Sequence, residues 1–427
     1  MNCQQTFKRL QDGTLDACLS ALYGTSALDA QRERYGNAVR AFAVRFGEER
    51  DVLLCSVPGR TELSGNHTDH NRGLALAAAI DADILAVVAP RADKKICVTS
   101  DKFGTDTVDI STVCSPRSGG YGRSDALIAG VCQGLLNAGF CAGGFDAYTT
   151  SNVPSGAGLS SSAAFEVLIG HIQSQLYNNA SIPTKSLARI AQFAENEYFG
   201  KPCGLLDQLA TATGGIIAID FENATTPLVE PIDFDLGAAG LSLCIVETGG
   251  SHADLTPDYA AIPAEMKAVA AALGGEVLRE IDEQDVLADL SVLRERVGDR
   301  AVLRALHFFG ENRRVREQII ALREKDTERF LALVRASGHS SFKYLQNLYS
   351  PAHPQTQGVS LGICLAERFL ADKRGACRVH GGGFAGTMQI LVESAHADAL
   401  CLLMDEAFGK GACHVLRIRA QGATTLQ

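Results

Sequence analysis

The segment at residues 154–164 has the residue types and spacing best suited to hold a phosphate group. It reads Pro-Ser-Gly-Ala-Gly-Leu-Ser-Ser-Ser-Ala-Ala, a glycine turn followed by three consecutive hydroxyl side chains. The glycines let the backbone approach a ligand because they have no β-carbon, and the hydroxyls can contact phosphate oxygens or a phosphate-bound Mg²⁺. The phosphate-binding residues that we expect here are Pro154, Gly156, Gly158, Leu159, Ser160, Ser161 and Ser162.

A strand and a helix are expected to hold this segment between them. Residues 144–151 have the length and composition of a strand, and residues 163–176 place apolar side chains on one side of a helical period. The free amides and the positive dipole at a helix N-terminus stabilise an anion. No lysine lies between Asn152 and Lys185, so the segment is not a Walker-type loop. The alternative is an ordinary turn that begins a helix.

Two further segments combine many polar or glycine residues with neighbouring apolar runs. Residues 57–73 read Val-Pro-Gly-Arg-Thr-Glu-Leu-Ser-Gly-Asn-His-Thr-Asp-His-Asn-Arg-Gly, after a strand-like run at 52–57. Residues 378–388 read Arg-Val-His-Gly-Gly-Gly-Phe-Ala-Gly-Thr-Met and precede another strand-like run at 388–393. Taken together, the three segments resemble the galactokinase branch of the GHMP kinases, and the resemblance extends from about residue 30 to the C-terminus.

Length and composition agree with a two-domain enzyme. The chain has 427 residues, and its 46% hydrophobic content is ample for two cores. The net charge of −10 argues against nucleic acid or an anionic membrane as a partner. No apolar run reaches transmembrane length, and residues 1–6 lack the apolar core of a signal peptide, so we expect a cytoplasmic protein. The 13 scattered cysteines fit small buried hydrophobic residues better than disulfides or zinc ligands.

The pattern of apolar runs predicts an α+β fold with a boundary near residue 225. Strands and helices alternate over residues 50–221, whereas amphipathic helices dominate between about 262 and 370 and are followed by strand, helix and strand up to 417–419. We therefore predict domains at residues 1–225 and 226–427. The resemblance implies a ribosomal-S5-like N-terminal domain, a ferredoxin-like C-terminal domain and an active site in the cleft between them.

The resemblance also implies the residues that perform phosphoryl transfer. Asp207 lies in Cys-Gly-Leu-Leu-Asp-Gln, which is similar to the family's Cys-Gly-x-x-Asp-Gln motif, whose aspartate approaches the anomeric hydroxyl of the sugar. Asp207 would act either as a general base or only as a group that orients the hydroxyl. Arg60 lies in the segment at residues 57–73, which is the first of the three motifs along the chain, and it matches the arginine of that motif in the family. It would lie beside Asp207 and stabilise charge in the transition state. A helix cap or a surface acid is the alternative for Asp207.

The expected cofactors are ATP and Mg²⁺. A Mg²⁺ ion binds one or two carboxylates together with phosphate oxygens and water. The family supplies a glutamate from a helix and a serine from the phosphate-binding segment, which here are Glu195 and Ser162. Glu197 is the alternative carboxylate ligand. It lies two residues away, so on a helix it faces a different direction from Glu195. An ordinary solvated carboxylate is the alternative for Glu195.

Sugar binding is expected from the first motif. His67 and Asp69 match the family's Gly-Glu-His-x-Asp-Tyr pattern, and Asn66 occupies the position of its glutamate. Asp69 can accept hydrogen bonds from two ring hydroxyls. Tyr259 matches, weakly, a tyrosine that lines the sugar site. The substrate-binding residues that we expect are therefore Asn66, His67, Asp69 and Tyr259.

Four departures from the family pattern cluster around the sugar. Asn66 replaces the glutamate, His70 replaces the tyrosine, Arg60-Thr-Glu62 replaces Arg-x-Asn, and the arginine pair expected after Tyr259 is missing. The replaced glutamate is expected to accept from the 6-hydroxyl of the sugar. With a neutral Asn66 and a His70 that can carry a positive charge, a carboxylate at C6 would no longer meet a like charge there, so a hexuronate such as galacturonate becomes a hypothesis.

Three functions follow from these motifs. The first is an ATP-dependent kinase that phosphorylates the anomeric hydroxyl of galactose, and the second is a kinase of the same fold for galacturonate or another galactose-like sugar. The third is a non-catalytic regulator that responds to sugar and ATP. The expected partners are a small-molecule sugar and ATP, without nucleic acid or membrane. We expect a monomer, although the sequence leaves the oligomeric state open.

Overall fold

The computed structural model describes residues 1–113, 122–154, 157–250, 255–384 and 386–426. Its helices are α1 Cys3–Gln11, α2 Asp16–Tyr23, α3 Leu28–Phe46, α4 Ser124–Asn137, α5 Ser161–Tyr177, α6 Thr184–Phe193, α7 Leu206–Thr213, α8 Thr256–Ala272, α9 Glu283–Ala288, α10 Leu290–Val297, α11 Asp299–Arg323, α12 Thr327–Ser340, α13 Gly358–Phe369 and α14 Ala397–Phe408. Its strands are β1 Leu53–Ser64, β2 Leu74–Pro90, β3 Lys95–Ser100, β4 Gly104–Asp109, β5 Phe145–Ser151, β6 Ile216–Asp220, β7 Leu228–Ile232, β8 Leu241–Glu247, β9 Gly375–Val379, β10 Thr387–Glu393, β11 Cys413–Leu416 and β12 Thr424–Leu426.

The first sheet is built around the long strand β2. The order is β12-β1-β2-β5-β3-β4, with β6 also paired to β2 and β7 paired to β6. Its pairs are antiparallel except for β3 and β5. Along β2, Ile84, Ala86 and Val88 belong to the core that contains α5, whereas Leu85, Val87 and Ala89 pack with α3. Because successive side chains point to opposite faces, the apolar stretch of this strand at residues 84–89 is buried on both sides.

The second sheet is antiparallel and has the order β11-β8-β10-β9. The two faces of β8 belong to different cores: Leu243 and Ile245 join the core of the first sheet, and Cys244 and Val246 pack with α13 and α14. The α+β prediction is therefore confirmed. None of the helices within the described ranges combines the length and the apolar character needed to cross a membrane.

Sheet membership does not change at residue 225. The strand β7 follows that residue but pairs with β6 of the first sheet, and the C-terminal strand β12 returns to pair with β1. The domains at residues 1–225 and 226–427 thus stay a prediction, and the division between the two sheets lies nearer β8. The pairing of β12 with β1 could not be predicted from sequence, because a strand as short as β12 has no measurable hydrophobic period.

Two strand predictions need correction. The strand expected at 52–57 continues to Ser64, because β1 remains paired with β2 through irregularities at Pro58/Arg60 and at Glu62/Ser64. Arg60 is therefore a strand residue. The last strand, expected to run up to 417–419, is present as β11 but ends at Leu416, and the following residues cross to the first sheet through an isolated bridge between Ile80 and Ile418.

Candidate active site

The phosphate-binding segment lies between a strand and a helix, as the sequence predicts. β5 ends at Ser151 and α5 begins at Ser161, so the free amides of the first helical turn include those of Ser161 and Ser162. Ser160 has a φ of 56° and Gly158 a φ of 66°, which places both in the left-handed region. This tight turn brings the serine hydroxyls to the start of the helix, where the dipole favours an anion.

The predicted residues of this segment play different parts. Ser161 is exposed at the first position of α5, whereas the Leu159 side chain is buried in the core of the first sheet. The Leu159 carbonyl accepts from the backbone amide of Arg60 at 3.1 Å, which fixes the segment to β1. Pro154 is half-buried, and Gly156 lies outside the described residues.

Arg60 and Asp207 form a two-point ion pair beside this segment. The Arg60 Nε and Nη2 atoms donate to the two carboxylate oxygens of Asp207, each at 2.6 Å. Arg60 Nη1 donates to the Gly158 carbonyl, and the Ser160 hydroxyl donates to Asp207 Oδ2. The structure thus brings both predicted catalytic residues together with the phosphate-binding segment, through β1 for Arg60 and the first turn of α7 for Asp207.

The surroundings of Asp207 keep it ionised. Burial alone would raise the pKa of Asp207, but the charge of Arg60 and the hydrogen bonds from Arg60 and Ser160 outweigh it and lower the pKa below its ordinary value. About a third of this side chain is still exposed, at 30%. A charged carboxylate that remains accessible can accept a hydrogen bond from a hydroxyl of a ligand.

Glu195 lies close to the predicted serine ligand. The Ser162 hydroxyl donates to Glu195 Oε1 at 3.1 Å, and Glu195 is buried whereas Glu197 is exposed. Both glutamates lie in a π-helical segment, Ala194–Phe199, that continues α6. The extra residue per turn changes the direction of the side chains at this point. The two oxygens of Ser162 and Glu195 are hard ligands of the kind that Mg²⁺ binds.

Three neighbours of Glu195 were not identified from sequence. Lys201 Nζ donates to Glu195 Oε1 at 3.0 Å, and Gln208 Nε2 donates to Glu195 Oε2 at 2.9 Å and to Glu166 Oε2 at 3.3 Å. Burial and the nearby charge of Glu195 raise the pKa of Glu166 well above its ordinary value. Gln208 had a signal, since it follows Asp207 in the matched motif, but Lys201 and Glu166 stand in ordinary helical or loop sequence.

Asp69 brings the first motif, residues 57–73 and called the sugar motif below, into contact with residues 203–208, which carry Asp207. Gly204 approaches Asp69 so closely that a β-carbon on Gly204 would lie 2.5 Å from Asp69 Oδ2. Asp69 therefore stands beside the segment that carries Asp207, with 19% of its side chain exposed. His70 is exposed and its Nε2 lies 3.7 Å from Asp69 Oδ1. Asp69 is thus accessible to hydroxyl groups of a ligand.

His67 is neutral and contacts the C-terminal glycine loop, residues 381–384. Its Nε2 lies 2.9 Å from the Gly382 carbonyl, and because a carbonyl can only accept, this nitrogen carries the proton. Burial lowers the pKa of His67 to about 4, although the bond to Gly382 acts in the opposite direction. The neutral ring therefore links the sugar motif to the loop.

Asn66 is turned into the protein and is 1% exposed. Its Nδ2 donates to the Gly381 carbonyl at 2.6 Å and to Glu62 Oε1 at 3.2 Å. Its Oδ1 accepts from Asn347 Nδ2 at 2.8 Å. The carboxamide that we expected to face the sugar is thus used in contacts between the first motif and the glycine loop. Glu62, in turn, pairs with Arg378 Nη2 at 3.0 Å.

Tyr259 packs on the same glycine loop. Its hydroxyl donates to the Gly383 carbonyl at 2.9 Å, and its ring meets Phe384 edge-on at 5.3 Å between centroids. Gly382 approaches the Tyr259 ring so closely that a β-carbon would lie 2.5 Å from it. The Tyr259 position is therefore near His67, on the other side of Gly382.

His380 is a further site residue that the sequence did not single out. Its Nε2 lies 3.0 Å from the Thr61 hydroxyl, and a β-carbon on Gly158 would lie 3.5 Å from its Nδ1. Burial, followed by the charge of Arg60, lowers the pKa of His380 to about 3. This neutral ring lies beneath the phosphate-binding segment and joins it to the second sheet. The only feature of the sequence that pointed to His380 was its position in the glycine-rich segment at residues 378–388.

Two family models match this chain. The "GHMP kinases N terminal domain" matches residues 126–215, and the "Galactokinase galactose-binding signature" matches residues 40–90. These ranges contain the phosphate-binding segment, Asp207 and the first motif. The matches therefore cover Arg60, Asp69, Ser162, Glu195 and Asp207, whereas the glycine loop and Tyr259 lie outside them.

Curated relatives and solved structures agree with these matches. A galactokinase of Streptomyces coelicolor is 32% identical over 388 residues, which are 90% of this chain and 95% of the relative. The galactokinase of Homo sapiens is 31% identical over 403 residues, 92% of this chain and 97% of the relative. The structure of Lactococcus lactis galactokinase complexed with galactose gives a TM-score of 0.75 at 24% identity, covering 90% of this chain and 98% of that one. A mevalonate kinase structure gives a TM-score of 0.61 at 16% identity, covering 86% and 99%. The identity and coverage of these relatives show that this chain is a member of the galactokinase family of GHMP kinases.

Proposed function

We propose that this protein transfers the γ-phosphoryl group of ATP to the anomeric hydroxyl of galactose, giving galactose 1-phosphate and ADP. The observation that carries the proposal is the two-point Arg60–Asp207 pair, which stands between the phosphate-binding segment and Asp69. Phosphoryl transfer depends mainly on alignment and on stabilising charge. A sugar bound by Asp69 and a nucleotide bound at α5 would both be adjacent to this pair.

The reaction needs a nucleophile, a proton acceptor and positive charge. The anomeric oxygen forms a bond to the γ-phosphorus while the bond from that phosphorus to the ADP oxygen breaks. Asp207, ionised and partly accessible, receives the hydroxyl proton or holds the hydroxyl in line. Arg60 fixes the carboxylate and offsets negative charge at the transferred group.

Magnesium is the second part of this proposal. The residues fit the ion, because Ser162 Oγ and Glu195 Oε1 lie 3.1 Å apart and a buried oxygen of Glu166 has no hydrogen-bond partner among the described residues. When bound, Mg²⁺ supplies charge to the phosphate oxygens. Ser162 and Glu195 would hold it, and Lys201 and Gln208 would orient the Glu195 carboxylate.

The other two functions have less support. The hexuronate hypothesis depended on Asn66 and His70. Asn66 is bound to Gly381, Glu62 and Asn347, which leaves only His70, exposed beside Asp69, in its favour. A regulator would not need the Arg60–Asp207 geometry, because it binds but does not transfer phosphate. The cytoplasmic location and the monomeric state stay predictions.

The test is ADP release from Mg-ATP by the purified protein with galactose, galacturonate, glucose, N-acetylgalactosamine, arabinose or mevalonate. We expect the highest kcat/KM with galactose. A higher kcat/KM with galacturonate would contradict galactose as the substrate and favour the hexuronate hypothesis. Absence of turnover with every sugar, together with measurable binding of galactose and ATP, would favour the regulator.

A further inference from the structure

Three cysteines that are distant in sequence meet on one face of the second sheet. Cys244 lies in β8, Cys401 in α14 and Cys413 in β11. Their Sγ atoms all lie within 4.8 Å of one another, and those of Cys401 and Cys413 are 3.0 Å apart. Cys244 is buried, whereas the other two are partly exposed. The cluster is therefore reachable from solvent on one side.

Strand register explains why two of the three meet. Cys413 lies opposite Val246 in the antiparallel β11–β8 pair. Since alternate residues of a strand share a face, Cys244 lies on the same face as Val246 and next to Cys413. The helix α14 covers this face, and its Leu400 and Met404 belong to the same core as Cys244. Cys401 directly follows Leu400 and completes the group.

The turn between α14 and β11 is fixed by one carboxylate. Asp405 Oδ2 accepts from the Gly411 amide at 2.9 Å, and Asp405 Oδ1 accepts from the Cys413 amide at 3.0 Å. Both bonds hold the start of β11 against the helix that carries Cys401. The three sulfur atoms are thus positioned by a strand pair and by a hydrogen-bonded turn.

Ordinary packing does not explain this convergence. Buried free cysteines act as small hydrophobic residues that can be placed singly anywhere in a core. Twelve free cysteines occur in the described part of the chain, and the metal-ligating side chains there form no other group of three. A disulfide would use two sulfurs and leave the third without a role.

We propose that Cys244, Cys401 and Cys413 bind one thiophilic divalent cation, of the class of Zn²⁺ or Cd²⁺. Binding forms three metal–sulfur bonds and releases the three thiol protons to solvent. Tetrahedral zinc thiolates are about 3.8 Å apart, given metal–sulfur bonds of about 2.3 Å, so the Cys401 and Cys413 sulfurs separate slightly. The fourth position faces solvent beside these two partly exposed residues and takes water.

The bound cation would stabilise the second sheet and would take no part in catalysis. The cluster belongs to the core formed with α13 and α14, whereas the phosphate-binding segment packs in the core of the first sheet. A bound ion would join β8, β11 and α14, and would raise the stability of this part of the protein by linkage. The proposal does not depend on the identity of the sugar.

The test uses the full-length protein, reduced and freed of metal by a chelator. Cd²⁺ is titrated while the ultraviolet thiolate-to-cadmium absorption is followed, and Zn²⁺ is tested for protection of the cysteines against alkylation, read residue by residue by mass spectrometry. We expect one Cd²⁺ per chain and protection by Zn²⁺ of Cys401 and Cys413, the two partly exposed members of the group. Cys401→Ser should weaken Cd²⁺ binding by roughly a hundredfold or more, whereas Cys364→Ser and Cys141→Ser, at exposed cysteines, should not.

Either of two results would overturn the proposal. The first is Cd²⁺ absorption that is the same in the Cys401→Ser protein as in the Cys364→Ser protein. The second is a native mass and peptide map showing a Cys401–Cys413 disulfide, with no metal bound after reduction. The alkylation measurement on the unaltered chain keeps the test decisive if a serine variant folds poorly.

Discussion

The phosphate side and the sugar side of the site differ in what their polar groups contact. On the phosphate side, Arg60, Ser160 and Asp207 bind one another at the start of α5, and the Asp207 carboxylate stays partly accessible. On the sugar side, the Asn66 carboxamide is enclosed and bonded to other parts of the protein. A residue in a ligand-binding motif can thus serve the ligand directly, or hold the motif to a neighbouring loop.

Two of the sugar-side substitutions contact each other in this structure. The family pattern has an asparagine two residues after the Arg60 position and a glutamate before the histidine. This chain has Glu62 and Asn66 there, and the two side chains are hydrogen-bonded at 3.2 Å. The acid and the amide have exchanged positions relative to the family pattern, and Glu62 also pairs with Arg378, so we expect the two substitutions to compensate for each other.

The largest effect is expected on the phosphate side, from Asp207→Asn. The amide keeps the size of the side chain but can neither accept the proton nor pair with Arg60 as a charge. We expect kcat to fall by about 10²–10⁴-fold, the usual range for loss of a proton-transfer group. Calorimetric titration should show that Mg-ATP still binds, because the proposed nucleotide site is the start of α5 and does not need the Asp207 charge. The control is Asp235→Asn at an exposed aspartate, and activity equal to that control would contradict the role of Asp207.

Glu195 and Glu197 form a matched pair for the magnesium prediction. Glu195→Gln should raise the Mg²⁺ concentration for half-maximal activity by roughly 10–100-fold, because it removes a carboxylate that lies 3.1 Å from Ser162 Oγ. Glu197→Gln changes an exposed residue two positions away and should leave this concentration unchanged. An equal response of the two variants would exclude Glu195 as the ligand. Activity is measured over a Mg²⁺ series at fixed ATP.

The exchanged pair can be tested by a double-mutant cycle. Asn66→Glu brings a carboxylate against Glu62 and the Gly381 carbonyl, and Glu62→Asn leaves Arg378 without its charged partner. The double variant restores the family arrangement. We expect it to be more stable than the sum of the single effects by about 1–2 kcal/mol, a common coupling for residues in one network.

Denaturant unfolding of the four proteins gives this coupling energy. Additive single effects would show that the two positions act independently, and would contradict the compensation. The sugar panel on the double variant adds a second readout. An unchanged preference would agree with the enclosed position of Asn66, whereas a changed preference would mean that residue 66 contacts the sugar.

Sequence reasoning reached the parts of this molecule that local pattern determines. The order of β5, the glycine turn and α5 follows from period and turn chemistry, and Asp207 and Arg60 follow from their motifs. The partners of Asn66 could not be predicted, because Asn347 and Gly381 lie some 280 or more positions away and only the folded chain brings them together. The π-helical segment at Ala194–Phe199 was missed for a related reason, since its irregular hydrogen bonding depends on packing and leaves no period to read.

His67 provides the smallest test of the sugar side, through pH. Burial lowers the pKa of folded His67 to about 4, against an ordinary value near 6.5. Between these values the unfolded chain binds the proton and the folded chain does not, so stability due to His67 is complete above about 6.5 and declines as pH falls toward 4. His67→Asn removes this dependence, and asparagine tolerates the φ of 58° at this position.

We expect the loss of unfolding free energy from pH 7 to pH 4.5 to be smaller in the His67→Asn protein than in the unaltered chain, by on the order of 1 kcal/mol. His307 and His380 keep their own lowered pKa values in both proteins, so the difference isolates His67. His353→Asn, at an exposed histidine, is the matched control and should retain the full loss. If His67→Asn and His353→Asn lose the same stability in acid, burial does not hold His67 neutral in the folded protein. A protonated His67 would still donate to the Gly382 carbonyl, and the bond from Asn66 to Gly381 is the second contact between residues 66–67 and the glycine loop.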